Sequence, residues 1–128
     1  DIEAYAVKNY VPLLATFETE ALYKYVQKRY TDILKKIPHA WVIGGFDDPF
    51  LIPPDSVPAT AEILSCLDTN IEKMWIVVTK GPSGPFGLVA EDLGNDKFRG
   101  FFSIDSKIIE KVIKIINDTM RIEINFSK

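Results

Sequence analysis

The sequence predicts an α+β domain: an antiparallel sheet of four to five strands, covered by a long N-terminal helix and a C-terminal helix. Three observations carry that reading. Between Phe17 and Ile37, apolar residues return at three- and four-residue intervals (Phe17, Ala21, Leu22, Tyr25, Val26, Tyr30, Ile33, Leu34, Ile37), which gathers them on one helical face. Between Met74 and Ile104, three strand-like segments follow one another, and Gly94-Asn95-Asp96 between the last two is a hairpin sequence. After Asp105, an N-cap residue type, Ile108, Ile109, Val112, Ile113, Ile115 and Ile116 give a closing helix a broad apolar stripe.

The elements follow in order. Residues 1–16 mix apolar runs around Pro12 and read as a short helix or as a lead-in packed on the core. The helix over 17–37 carries Glu18 and Glu20 at its start and Lys35 and Lys36 at its end, matching the macrodipole. Thr16 or Thr19 caps it and Pro38 stops it. Ala40–Phe46 is short, apolar and partly β-branched, a buried strand that ends in a turn at Gly44-Gly45 and Asp47-Asp48. Pro49, Pro53, Pro54 and Pro58 forbid a regular element, so 47–58 is expected to be a long ordered loop or extended arm. Residues 59–68 read as a short helix with Ala61, Ile63, Leu64 and Leu67 inward. Met74–Thr79 is apolar on both faces and is expected at the centre of the sheet. Gly87–Leu93 and Phe98–Ile104 flank the hairpin turn; alternation puts Phe98, Gly100 and Phe102 on one face and Arg99 and Phe101 on the other. Arg121–Phe126 alternates and is expected to be a final edge strand.

Composition narrows the function classes. The 128 residues suit one domain with one core, and 47% hydrophobic content supports a folded chain. Lys and Arg number 15 against 18 Asp and Glu, a net charge of −3. Such a chain is a poor ligand for nucleic acid or an anionic membrane, and the lysines at 24–36 and 107–114 are interleaved with acids as solvated helix faces. No apolar run approaches the ~20 residues of a membrane span. Cys66 is the single cysteine, which excludes an intrachain disulfide. A start at Asp1 rather than Met is read as the sign of a domain excised from a longer multidomain protein.

Few residues point to chemistry. His39 is the single histidine; as a general base it needs an acidic partner and a cleft, and a helix-end role explains it equally well. One His and one Cys do not make a standard zinc set. Cys66 on an apolar helix face is expected to be buried and inert. Gly81-Pro82-Ser83-Gly84-Pro85-Phe86-Gly87 looks superficially like a phosphate loop, yet it lacks the closing Lys-Ser/Thr and its prolines remove two N–H donors. It reads as a rigid β-connection. Asp47-Asp48 and Glu91-Asp92 fit solvated turn residues better than a cation site. No catalytic residue and no metal ligand is therefore assigned, and the chain is not expected to be an enzyme. The aromatics Trp41, Phe46, Phe50, Trp75, Phe86, Phe98, Phe101 and Phe102 exceed the smallest needs of one core, so some must line the second side of the sheet.

The order and wording of several segments resemble the DICT sensory domain, a module found beside diguanylate cyclase output domains and in two-component signalling proteins. The matching pieces are Lys28-Arg29-Tyr30 late in a long helix, Trp41-Val42-Ile43-Gly44-Gly45-Phe46-Asp47, and Met74-Trp75-Ile76-Val77-Val78 before a Pro-containing loop. Pro85–Asp92 (PFGLVAED) and Phe98–Asp105 (FRGFFSID) follow, then the closing helix, so the likeness covers most of 17–118. The resemblance implies a non-enzymatic sensory or regulatory input domain of a cytoplasmic, multidomain signalling protein. It would bind a small molecule or a partner and report to an output domain of the same chain (a cyclase, kinase or transcription factor). The alternatives are a protein-interaction or dimerisation module, with homodimerisation through the long first helix or the expected edge strand 121–126, and a small enzyme using His39. No cofactor follows from either the residues or the resemblance. A ligand pocket is expected between the sheet and the connections containing Gly44–Asp47 and Gly81–Phe86, with Trp41, Phe46, Trp75 and Phe86 as apolar walls and Asp47 and Lys80 as polar contacts.

Overall fold

The computed structural model describes residues 2–17, 20–46, 60–82, 84–95 and 97–126, with the side chains of 20–25 left aside. The chain runs α1 (Ile2–Asn9), β1 (Leu13–Phe17), α2 (Glu20–Leu34), β2 (Ala40–Gly44), β3 (Ala61–Ser65), a 3-10 turn (Asn70–Lys73), β4 (Met74–Gly81), β5 (Gly84–Gly94), β6 (Lys97–Ser103) and α3 (Ser106–Met120). The domain is α+β, but the sheet has six strands and is mixed, in the order β3-β2-β1-β4-β5-β6. β1, β2 and β3 are parallel, β4 joins β1 antiparallel, and β4, β5 and β6 form an antiparallel meander. The expectation of four to five antiparallel strands is corrected on both counts. Two short segments that looked like lead-in and helix are strands, and parallel neighbours stabilise them where local pattern does not.

β1 is the clearest case. Phe17 belongs to it rather than to the helix, and Thr16 is a strand residue rather than a cap. The long helix accordingly starts at Glu20 and stands second in the chain, behind α1. Residues 61–65 form β3, where Ile63 and Leu64 pack into opposite cores as strand neighbours must. The tail after α3 is not a strand either. Arg121 adopts a left-handed conformation (φ 57°), which reverses the chain. The Asn117 side chain then holds Ile124, donating from Nδ2 to its carbonyl (3.2 Å) and accepting its N–H at Oδ1 (2.7 Å).

Two cores form, one on each face of the sheet. On one face α1 lies over β4 and α2 over β1 and β2, enclosing Ala6, Leu13, Tyr30, Leu34, Val42 and Phe46 among others. Buried Tyr30 donates its hydroxyl to Glu3, which also sits 3.5 Å from Arg29. On the other face α3 and the tail cover Leu14, Trp41, Ile43, Cys66, Val78 and Ile116. Asp105 caps α3, accepting the Lys107 N–H at 2.9 Å as its residue type suggested.

The seam between the two halves of the sheet is short: only Leu13–Ala15 register against Val77–Thr79. Two buried threonines extend it. Thr79 donates Oγ1–H to the Pro12 carbonyl (2.7 Å); Thr16 Oγ1 donates to the Met74 carbonyl (3.0 Å) and accepts the Ile76 N–H (2.8 Å). Both are no more than 1% exposed, so these bonds satisfy backbone groups that no strand reaches.

Candidate functional site

The predicted pocket is not assembled. β2 runs parallel to β1 and β4 antiparallel to it, so Gly44 lies level with the start of β4 while Gly81 lies at the other end of the sheet. The connections at Gly44–Phe46 and Gly81–Phe86 therefore sit at opposite ends. The second is also no loop: β4 and β5 stay paired as far as Gly81 and Gly84, leaving only a tight turn between them. Pro85 is accommodated opposite Lys80 near the strand's start.

The individual residues confirm the separation. Phe46 is fully buried in the α1/α2 core, and Gly44 has no Cβ because one would strike the Phe46 ring and the Phe17 carbonyl. Trp41 is buried on the opposite face, against His39 (centroids 4.5 Å) and Phe126 (5.2 Å). Phe86 packs beside α1 and β6, 5.2 Å from Tyr5 and 5.0 Å from Phe102. Trp75 is 48% exposed at the far end of β4, with Phe98 6.3 Å away. Exposed Lys80 borders a groove of about 290 Å³ along α3, with Pro85, Ile109 and Ile113. Asp47, with Asp48, Phe50 and the proline-rich segment, lies outside the described residues.

Two other places on the surface are built from residues the sequence did not group. The first is an open cleft of about 760 Å³ under the C-terminal tail, at the starting ends of β1, β2 and β3, lined by Pro12, His39, Trp41, Glu62, Glu123 and Ile124 among others. Here His39 Nε2 stands 2.9 Å from Glu62 Oε2, because β2 and β3 register Trp41 against Glu62. A carboxylate on one imidazole nitrogen orients the ring and can support proton transfer at the other. Both partners are substantially exposed (side chains 36% and 53%), so water screens the pair. Among the described lining residues there is no serine, threonine or cysteine to act as a nucleophile.

The second place is the outer face of the β5–β6 hairpin. β6 is a free edge: among the described residues it pairs with β5 alone. Register puts Phe98 beside Asp92, Gly100 beside Ala90 and Phe102 beside Leu88, on the face that carries α1 and α2 farther along the sheet. Those helices lie over β1, β2 and β4, and the aromatic side chains of β6 stay open: Phe98 is 52% and Phe102 55% exposed. On the other face Phe101 is 46% exposed beside the Arg99–Glu91 ion pair (2.9 Å); Ile104, just past the end of β6, is 72% exposed. Exposed single apolar residues are ordinary; three half-exposed phenylalanines on one unpaired edge, two on one face and one on the other, are not. The sequence did contain this signal, in the excess of aromatics and in the alternation of 98–102, but not the side left uncovered.

The other candidates resolve simply. Cys66 is 1% exposed; burial first, and then the nearby Glu72 charge, push its thiol up to about 11, so it stays protonated and unreactive at neutral pH. It follows β3 rather than lying on a helix. Glu91 pairs with Arg99, and Asp92 accepts the Gly94 N–H at 2.8 Å to shape the hairpin. Among the described residues no group of three His, Cys, Asp or Glu could hold a metal ion, and no helix is long and apolar enough to cross a membrane. No family model, curated protein or solved structure matches the chain.

Proposed function

We propose that this chain is a non-enzymatic regulatory input domain of a cytoplasmic signalling protein, and that it works by protein contact. The observation that carries the reading is the set of uncovered phenylalanines on the free edge of β6, Phe98 and Phe102 on one face and Phe101 on the other. Burying such a row against another protein surface removes apolar area from water and satisfies the edge N–H and C=O groups together. The DICT-like residue pattern supports the regulatory half of the proposal, with a cyclase, kinase or transcription factor as the output domain of the same chain. The test is made in the full-length protein, comparing output activity of wild type, a deletion of this domain, and Phe98→Ser/Phe102→Ser. Both changes are expected to shift output several-fold or more; an output indifferent to both removes the proposal.

A second reading rests on one observation, the His39–Glu62 contact inside a cleft. In that reading His39 is the general base of a small enzyme. Turnover of p-nitrophenyl acetate above the free-imidazole background, lost in His39→Gln with the fold intact, would support it. Equal rates in the two proteins would remove it.

A further inference from the structure

We infer that the chain pairs with a second copy of itself along β6, antiparallel and with the two-fold axis at Gly100. The inference rests on the contact-based reading above and names its partner. It starts from the edge itself, seven residues long and exposed at every position from Lys97 to Phe102.

The sequence of that edge is self-complementary in one register. A two-fold axis perpendicular to the sheet sets residues opposite one another only if they share a face. With the axis at Gly100, Phe98 meets the partner's Phe102, Arg99 meets the partner's Phe101, and Lys97 meets the partner's Ser103. Aromatic faces aromatic on one side, and a guanidinium faces a ring on the other; both are favourable cross-strand pairs. All seven residues are paired and no two cations stand directly opposite. Moving the axis to residue 99 sets Arg99 against the partner's Arg99. Moving it to residue 101 leaves Lys97 without a partner and sets Gly100 against the partner's Phe102.

Charge and glycine placement agree with that axis. Arg99 is already held by Glu91 of its own chain, so each protomer brings an ion pair rather than a bare cation to the interface. Gly100 is required inside the monomer, because a Cβ there would run into the Val89 carbonyl and Ala90 of β5. The open position this leaves on the aromatic face is flanked by Phe98 and Phe102, whose rings would close over it in the pair.

The area sets the strength. With 52%, 46% and 55% of their surface exposed, Phe98, Phe101 and Phe102 leave about 300 Å² of ring per protomer open, taking about 200 Å² for a whole phenylalanine. Ile104 and Trp75, 72% and 48% exposed, border the row and enlarge it. Even with all of it buried, the total falls below the standard size of specific interfaces, in the range of a weak, reversible dimer rather than an obligate one.

Sedimentation across a concentration series tests the association, and a cysteine pair tests the register. Wild type is expected to show a reversible monomer–dimer equilibrium, and Phe98→Glu/Phe102→Glu to weaken it by about tenfold or more. Lys97→Cys combined with Ser103→Cys is expected to cross-link two chains under mild oxidation, since opposed strand positions fall within disulfide reach. Either single variant should not cross-link with itself, and buried Cys66 should not interfere. A chain that stays monomeric to millimolar concentration, or a dimer that neither cross-links at 97 and 103 nor responds to the glutamates, overturns the inference. A monomer whose output still depends on Phe98 and Phe102 overturns the dimer and leaves the input reading. A cross-linked dimer with an indifferent output supports the dimer and overturns the input reading.

Discussion

The two halves of the sheet both carry large apolar side chains, yet these end in opposite conditions. β2 (AWVIG) is buried at all five positions, whereas β6 (KFRGFFS) is exposed at six of seven. Phe46, just past β2, has no exposed surface, and Phe102 keeps 55% of its own. The difference comes from the connections. Parallel strands need a crossover, so β1 and β2 bring α2 with them to cover one face. Antiparallel strands need only a tight turn, so β4, β5 and β6 arrive with no helix of their own until α3, which packs on β5 from the other side. Apolar side chains are therefore enclosed in the parallel half and left to solvent at the antiparallel edge.

Substitutions can break that comparison. The largest effect is expected for Phe46→Ala, which empties a fully enclosed ring site: a loss of about 3–5 kcal/mol by chemical denaturation. A loss near ~1 kcal/mol would mean that the end of β2 is loosely packed and that the two halves are alike.

Next is the pH dependence of the parallel half through Cys66. Its thiol is pushed from 9.0 up to about 11 in the fold, so the folded state holds the proton more tightly than the unfolded chain does. The associated stability is fully present below pH 9 and is lost as pH rises through about 11. The loss is on the order of 2 kcal/mol relative to Cys66→Ala, which lacks the titrating group. Denaturation midpoints of both proteins at pH 8 and pH 11 measure it; parallel behaviour would show that Cys66 reaches water.

The smallest effect on stability is expected for Phe102→Ala, about 1 kcal/mol or less, because half of the residue already faces solvent and its contacts are shallow ones, with the Phe86 ring and its cross-strand neighbour Leu88. The same variant should weaken self-association clearly. A stability loss as large as that of Phe46→Ala would place Phe102 in the core and remove the contrast between the halves.

Parts of this were legible beforehand. The apolar run Met74–Thr79 does occupy a central strand, between β1 and β5. A turn at Gly94-Asn95 does join β5 to β6, with Asn95 at φ 54°. The shared face of Phe98, Gly100 and Phe102 follows from the period of two, and the Asp105 cap from its residue type. The candidate site was read less well. Trp41, Phe46, Trp75, Lys80 and Phe86 are close in kind but spread over two faces and two ends of the sheet, and what scattered them is strand direction, which no single segment encodes. His39 and Glu62 were never grouped, since 23 residues separate them and only the parallel pairing of β2 with β3 brings them together.

The sequence by itself determined the local patterns: which stretches alternate, which recur at helical spacing, and where the hairpin turn and the Asp105 cap fall. These depend on neighbours within a few residues along the chain. Only the tertiary structure decided that Leu13–Phe17 and Ala61–Ser65 are strands, that half the sheet is parallel, and that the tail folds over Trp41 instead of extending an edge. Those outcomes rest on partners far apart in sequence: a five-residue apolar segment has too few positions to distinguish a period of 2 from one of 3.6, so the strand alongside it decides. The same logic leaves the aromatic edge of β6 open, because hydrophobic pattern specifies a face to be covered and the topology determines whether anything in the chain covers it.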